Sequence, residues 1–138
     1  MTLGTNEKEA LIKYRMDRAN ETIVEAKQAY ESGHLNLAVN RIYYACFYSA
    51  EALMLTRDFS TNNHGRLKGE FNKVFVHSGL IDKKYFATLD TAFKDRQNGD
   101  YGDFVKFNKE AVKSSLEKAE EFVTLINNIT LKNITSPD

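Results

Sequence analysis

The chain has 138 residues, with 19 basic and 19 acidic side chains and therefore no formal net charge. This balance excludes a broad, salt-dependent footprint on duplex nucleic acid, so any contact with a nucleotide or an RNA must be local. The single cysteine, Cys46, excludes an internal disulfide, and the one proline, the seven glycines and the lack of alternating apolar and polar residues predict an all-α protein.

The length predicts one domain over residues 1–138, with a core from about residue 6 to residue 130. The beginning of the sequence, MTLGTNEKEA, is polar and lacks the basic and apolar segments of a secretory signal. We therefore expect a cytoplasmic protein. Polar residues interrupt every long apolar stretch, so we expect no association with a membrane.

The first predicted helix begins near Asn6, which forms a possible capping box with Glu9, and ends at Gly33. Its apolar residues follow one another at spacings of three and four: Ile12, Met16, Ala19, Ile23, Ala26 and Tyr30. Such spacing is typical of a helix that packs nearly parallel or antiparallel to its neighbours. The short link before Leu35 then predicts an up-down bundle.

The second predicted helix, residues 35–57, carries apolar side chains on every face and is expected to be the fully enclosed centre of the bundle. Arg41 lies within it, next to Tyr43 and Tyr44. Because an unpaired buried charge is costly, we expect this guanidinium to meet a ligand, a partner group or a water-filled cleft.

Three further helices are predicted after the polar loop that follows Arg57. The third runs from His64 or Gly65 to Ser78, and the fourth from Asp82 to about Gly99, with Asp82 as its N-cap. The last runs from about Asp103 to Ile129, and residues 131–138 are expected to form a loose tail. Since the last helix has two apolar seams, one could contact a second subunit, and we predict an antiparallel up-down bundle of four to five helices that forms a homodimer.

The polar residues near the helix ends are the candidates for a functional site. His64 could titrate near neutral pH and act as an acid or a base, or it could simply cap the third helix. Arg96 could bind an anion or stabilise the end of the fourth helix, and Asp100 and Tyr101 could bind a ligand or cap and pack the last helix. Arg57 could meet His64 across the loop, or it could be a solvated helix end.

Signatures of metal sites and of common enzymes are absent from the sequence. His34, His64 and His77 are isolated from one another, and no pair has the spacing of metal ligands. The two glycines at 65 and 69 lack the lysine and hydroxyl residue of a phosphate-binding loop. We therefore expect no cofactor and no metal.

Four segments together resemble the HEPN domain, the higher-eukaryote and prokaryote nucleotide-binding family, in its small, stand-alone prokaryotic branch. They are RIYYACFYSAEALML at 41–55, NHG at 63–65, FNKVFVHSG at 71–79 and RQNGDY at 96–101. The resemblance covers residues 8–130 and implies a dimeric four-to-five-helix bundle. It also implies a toxin–antitoxin pair with a minimal nucleotidyltransferase.

The resemblance also implies roles for particular residues. Many members are metal-independent ribonucleases with an Arg-x4–6-His motif, and Arg57 and His64 have the Arg-x6-His spacing. Near the last helix, where this motif usually lies, the chain has Arg96 and Tyr101 without a histidine. Tyr101 matches the tyrosine that accepts adenylyl groups from the partner in paired members.

These observations lead to three functional hypotheses. The first is a HEPN-type toxin–antitoxin component that binds a nucleotide or RNA and pairs with a nucleotidyltransferase, with a site formed by Arg41, Tyr44, His64, Arg96, Asp100 and Tyr101. The second is a metal-independent endoribonuclease in which His64 transfers protons and an arginine, Arg96 or Arg57, stabilises the charge on phosphorus. The third is a dimeric interaction module without catalysis.

Overall fold

A computed structural model describes residues 4–101 and 106–135, excluding the side chains of residues 100, 101 and 135. In these ranges the chain forms five α-helices and no strand. The helices are α1 (Thr5–Glu31), α2 (Leu35–Leu55), α3 (His64–Phe71), α4 (Lys83–Tyr101) and α5 (Lys109–Thr135), and a π-helical turn, Asn72–Val76, continues α3. The prediction of an all-α up-down bundle is confirmed.

Glycines and side-chain caps set several of the predicted helix ends. Gly33 and Gly79 have φ angles of 79° and 84°, in the left-handed region that favours glycine, and each follows a helical segment. Asp82 accepts a hydrogen bond from the backbone N–H of Lys84 (2.9 Å), as expected for an N-cap.

The predicted ends of three other helices were wrong by a few residues. The first helix begins at Thr5 after Gly4, without a side-chain cap, so Asn6 lies inside its first turn. The second ends at Leu55 rather than Arg57, because the chain turns at Asp58, which adopts a positive φ of 59°. The fourth continues through Gly99 to Tyr101.

The last helix was predicted too early at both ends. It begins at Lys109, where Asn108 caps it by accepting from the N–H groups of Glu110 (2.8 Å) and Ala111 (3.2 Å). It continues to Thr135, so residues 131–135 of the loose tail predicted at 131–138 are helical, and residues 136–138 lie outside the described residues. The reason is packing at this end, where Ile134 contacts a small cluster of Ile12, Met16, Ala52 and Leu55.

Helix α2 is the centre of the core, but it is not enclosed on every side as predicted. It contacts all four other α-helices, and 13 of its 21 residues are buried. A half-buried strip remains along one side, consisting of Asn40, Arg41, Tyr44, Tyr48 and Glu51. This strip lies beside charged residues of α1, which pair or stack with it and thereby keep polar groups at the surface of an otherwise apolar helix.

Glu51 is the buried carboxylate of this strip. Its side chain is 15% exposed, and its Oε1 lies 3.4 Å from Nη1 of Arg15 on α1. Burial raises the pKa of Glu51 to about 6, and the nearby Arg15 charge offsets only part of this effect. Since an unfolded glutamate ionises at lower pH, the ionised form of Glu51 destabilises the folded state.

We expect Glu51→Gln to stabilise the protein at high pH only. Below the pKa of an unfolded glutamate the wild-type carboxyl is neutral in both states, so the two proteins should be about equally stable. As the pH rises from about 4.5, the unfolded value, to about 6, the wild type should lose up to about 2 kcal/mol relative to the variant, and the difference should stay constant at higher pH. Urea unfolding at pH 4 and at pH 8 measures this difference, and a variant that is less stable at pH 8 would contradict it.

Candidate functional site

Aromatic residues of α2 form the base of the candidate site. Tyr43, Tyr44 and Phe47 lie on adjacent turns, with Tyr43 almost fully buried, Phe47 buried and Tyr44 half-buried. The ring centroids of Tyr43 and Tyr44 are 5.2 Å apart, and those of Tyr43 and Phe47 are 5.7 Å apart. These rings provide a rigid apolar support against which polar side chains from other helices pack.

His64 lies on this support as the first residue of α3. The preceding Asn63 caps the helix by accepting from the backbone N–H of Arg66 (2.9 Å), so His64 does not perform the capping role considered for it. Its imidazole stacks on Phe47 with a centroid distance of 4.0 Å and an interplanar angle of 16°. Its Nδ1 lies 2.7 Å from the hydroxyl oxygen of Tyr43 and shares a hydrogen bond with it.

Arg96 of α4 completes the group that we call the His64 cluster: Tyr43, Tyr44, Phe47, His64 and Arg96. The Arg96 Cζ atom lies 5.5 Å from the centre of the Tyr43 ring and 5.3 Å from that of Tyr44. These are cation–π distances, and they hold the guanidinium against two tyrosines. Three separate segments of the chain therefore meet here.

The protonation states in the cluster follow from burial and from the charge of Arg96. Burial, followed by the Arg96 charge, lowers the pKa of His64, so the imidazole is neutral at pH 7. Burial raises the pKa of the Tyr43 hydroxyl, which stays protonated and able to donate. When Tyr43 donates to Nδ1, the proton of the neutral imidazole is on Nε2, and His64 can act as a hydrogen-bond donor to a ligand.

We expect an NMR titration to show that both burial and the Arg96 charge lower the pKa of His64. In the wild type its pKa should lie below that of an exposed histidine, and in Arg96→Gln it should rise only part of the way, since burial remains. Two-dimensional NMR of the imidazole signals as a function of pH measures this, with His77, an exposed histidine, as the internal reference. A His64 pKa unchanged by the substitution would rule out electrostatic coupling to Arg96.

Arg41 lies on the outer side of the cluster. Its Cζ is 5.3 Å from the centre of the Tyr44 ring, the same distance as that of Arg96. The two guanidiniums are therefore within twice that distance of each other. Arg41 is not an isolated buried charge, because its side chain is 25% exposed, lies 3.4 Å from Glu25 and donates to Asn40 at 2.7 and 3.0 Å.

The other candidate residues lie away from the His64 cluster or have side chains outside the described residues. The guanidinium of Arg57 lies over the ring of Phe75, with Cζ 5.1 Å from its centre, while His64 packs on Phe47. Asp100 and Tyr101 end α4, and their side chains lie outside the described residues. The structure thus brings Arg41, Tyr44, His64 and Arg96 together.

Sequence reasoning did not assign two members of this site, Tyr43 and Phe47, to it. The signal that could have identified them is the run of four aromatic residues at 43, 44, 47 and 48 in one helix. So many rings within two turns exceed what one buried face requires, and some must contact groups at the surface.

Within the described residues, no group of three or more histidine, cysteine, aspartate or glutamate side chains is placed to hold a metal ion. The helices in the same ranges are too short or too polar to cross a membrane.

Comparisons with known proteins identify the family and several relatives of this chain. The HEPN domain family matches residues 12–129. A UPF0332 protein of Thermotoga maritima is 40% identical over 124 residues, which cover 90% of this chain and 94% of the relative. Two proteins of Methanocaldococcus jannaschii, each named a putative toxin, are 34% identical (83% of this chain, 85% of the relative) and 29% identical (78% and 74%).

Proposed function

Since this chain belongs to the HEPN domain family, we propose that it is the toxin-type component of a toxin–antitoxin pair and that it binds a nucleotide or RNA at the His64 cluster. Two relatives named as putative toxins support the first part of this proposal. The single observation that carries the second part is the position of Arg41 and Arg96, which both contact the ring of Tyr44 beside His64.

The arrangement fits a phosphate group. Guanidiniums bind phosphate through paired hydrogen bonds, and the two that lie over the Tyr44 ring can each contact a phosphate of the same ligand. The Nε2–H of His64 supplies a further donor. The half-buried Tyr44 ring offers a surface on which a nucleotide base can stack.

Because the chain has no net charge, we expect it to contact only a few phosphates of a bound RNA. If only the two arginines contact phosphates, the logarithm of the affinity for single-stranded RNA should fall with the logarithm of salt concentration with a slope of roughly −1.4. Fluorescence anisotropy of a short labelled RNA at several salt concentrations tests this. A lack of binding at low salt, or binding that no substitution at Arg41 or Arg96 weakens, would refute the proposal.

A second candidate function, metal-independent RNA cleavage, is supported by the neutral state of His64. In the tautomer whose Nδ1–H donates to Tyr43, the free Nε2 can accept the 2′-hydroxyl proton while the 2′-oxygen attacks phosphorus. The bond to the 5′-oxygen breaks, and this oxygen leaves as an alcohol after taking a proton from solvent. The same labelled RNA, incubated with EDTA, would then yield cyclic-phosphate ends, and His64→Ala would abolish them. Intact RNA with the wild type would leave binding as the function.

The proposed partner is a minimal nucleotidyltransferase, and the proposed assembly of this chain is a homodimer. Adenylylation would join the Tyr101 hydroxyl oxygen to the α-phosphorus of ATP and release pyrophosphate. Co-expression of the two proteins followed by mass spectrometry of the Tyr101 peptide tests this step, with Tyr101→Phe as the control. An unmodified Tyr101 in an active pair would refute modification, and failure of the two proteins to co-purify would refute pairing.

A further inference from the structure

A polar cavity lies between α1, α2, α3 and the segment that joins α2 to α3. It has a volume of about 300 Å³, which is within the range of small-ligand sites. Helix α1 contributes Leu11 and Arg15, and α2 contributes Glu51 and Leu55. Phe59 of the following segment and Leu67 of α3 complete the apolar walls. Ser60 and Asn62, both exposed, form part of its rim.

The charged pair in this cavity has unused hydrogen-bonding capacity. Arg15 Nη1 and Glu51 Oε1 are 3.4 Å apart, which is long for a charge-assisted hydrogen bond. Arg15 Nε and Glu51 Oε1 are both buried and have no hydrogen-bond partner among the described residues. Buried polar atoms of this kind are rare, and a pair that lines one cavity indicates a ligand that supplies complementary groups.

The cavity is close enough to the His64 cluster to share one ligand with it. Glu51 follows Tyr43 by eight residues of the same helix, an axial distance of about 12 Å. The rim residues Ser60 and Asn62 lie four and two residues before His64. A nucleotide unit with its phosphate at the cluster can therefore direct its base, or that of its neighbour, toward the cavity.

We propose that this cavity binds a guanine base, free or within RNA, and thereby selects the nucleotide that the His64 cluster holds. The proposal rests on the nucleotide-binding function proposed above. A carboxylate presents two acceptor oxygens, and guanine is the base whose pairing edge places two N–H donors beside a carbonyl oxygen. That carbonyl can accept from Arg15, and the leucines and Phe59 provide apolar contacts for the ring.

The cost of keeping Glu51 charged agrees with this role. Burial raises the pKa of Glu51 to about 6, so the folded protein carries an ionised carboxylate at pH 8 that a glutamine would avoid. Buried charges that reduce stability are found preferentially at functional sites.

Inosine monophosphate provides the sharpest test, because it differs from guanosine monophosphate only in lacking the 2-amino donor. At pH 8, calorimetry should show that the wild type binds the guanine nucleotide about 10- to 100-fold more tightly than the inosine nucleotide, as expected for a hydrogen bond to a charged group. Glu51→Gln should remove most of this preference. The exposed Glu121→Gln, whose carboxylate pairs with Lys84 on α4, should leave it unchanged.

Two further probes separate failure of the cavity from failure of the proposed function. Ribose 5-phosphate tests the phosphate site alone, and guanosine tests the cavity alone. Guanosine that binds the wild type but not Ser60→Trp, in which the rim is filled, supports the cavity. Equal affinities for the guanine and inosine nucleotides, or a preference that survives in Glu51→Gln, overturn the proposal for the cavity. If ribose 5-phosphate still binds through Arg96 in that case, the nucleotide-binding function proposed above stands.

Discussion

Replacing Arg96 with glutamine is expected to weaken the binding of single-stranded RNA by about 10- to 100-fold. This corresponds to the loss of a charged hydrogen bond to phosphate, roughly 1.5–3 kcal/mol. Arg41→Gln should weaken binding as well, because the Arg41 guanidinium lies over the same Tyr44 ring. Anisotropy titrations at one fixed, low salt concentration give both values.

The matched control for this experiment is Arg57→Gln. Arg57 is an arginine of the same chain that lies over Phe75, so its removal should change RNA affinity by less than about twofold if binding takes place at the His64 cluster. A loss at Arg57 equal to that at Arg96 would instead place the RNA along the Arg57–His64 pair that the sequence spacing suggested. Circular dichroism verifies that each variant remains helical.

The helices could be predicted from the sequence because their determinants are local. Apolar spacing of three and four residues, the glycines at 33 and 79 and the N-cap Asp82 each act within a few residues. The two ends of α5 could not be assigned in this way. Its start depends on the cap at Asn108, and its last turn depends on contacts of Ile134 with residues of α1 and α2.

For the site too, individual residues could be identified from the sequence, whereas their contacts could not. The sequence identified His64, Arg96, Arg41 and Tyr44 as polar or aromatic residues in unusual positions, because each could be judged from its neighbours. It could not give their partners, since His64 meets Tyr43 across 21 residues and Arg96 lies 52 residues from Tyr44 along the chain. Those pairings depend on how the helices pack.

The position of the buried charge on α2 shows most clearly what the sequence could not predict. The sequence marked Arg41 as the charge that an apolar helix would bury, yet in the fold its side chain is 25% exposed and Glu51, two to three turns later, is 15% exposed. The difference is set by the neighbouring helices: the end of α2 lies under the 56–63 segment, whereas Arg41 lies at its open side. Helical periodicity alone carries no information about which face a neighbour covers.

The largest loss of stability is expected for Phe122→Ala. Phe122 of α5 is fully buried, and its ring packs near Phe71 of α3 (5.9 Å between centroids) and Tyr85 of α4 (6.5 Å). Removing it creates a cavity where three helices meet, at a cost of about 3–5 kcal/mol. Urea unfolding should show this as a lower midpoint, whereas Val24→Ala, at a side chain that is 54% exposed, should cost less than about 0.5 kcal/mol.

The same substitution should affect α3 more than α1, because α3 is short and Phe71 is one of its two buried side chains. Hydrogen exchange under native conditions is therefore expected to show lower protection of the α3 amides in Phe122→Ala, while α1, which packs along most of α2, remains protected. Since α3 begins at His64, RNA affinity should fall with this local loss of order. Uniform loss of protection across all helices would mean that the bundle opens only as a whole, and that the position of His64 does not depend on this contact.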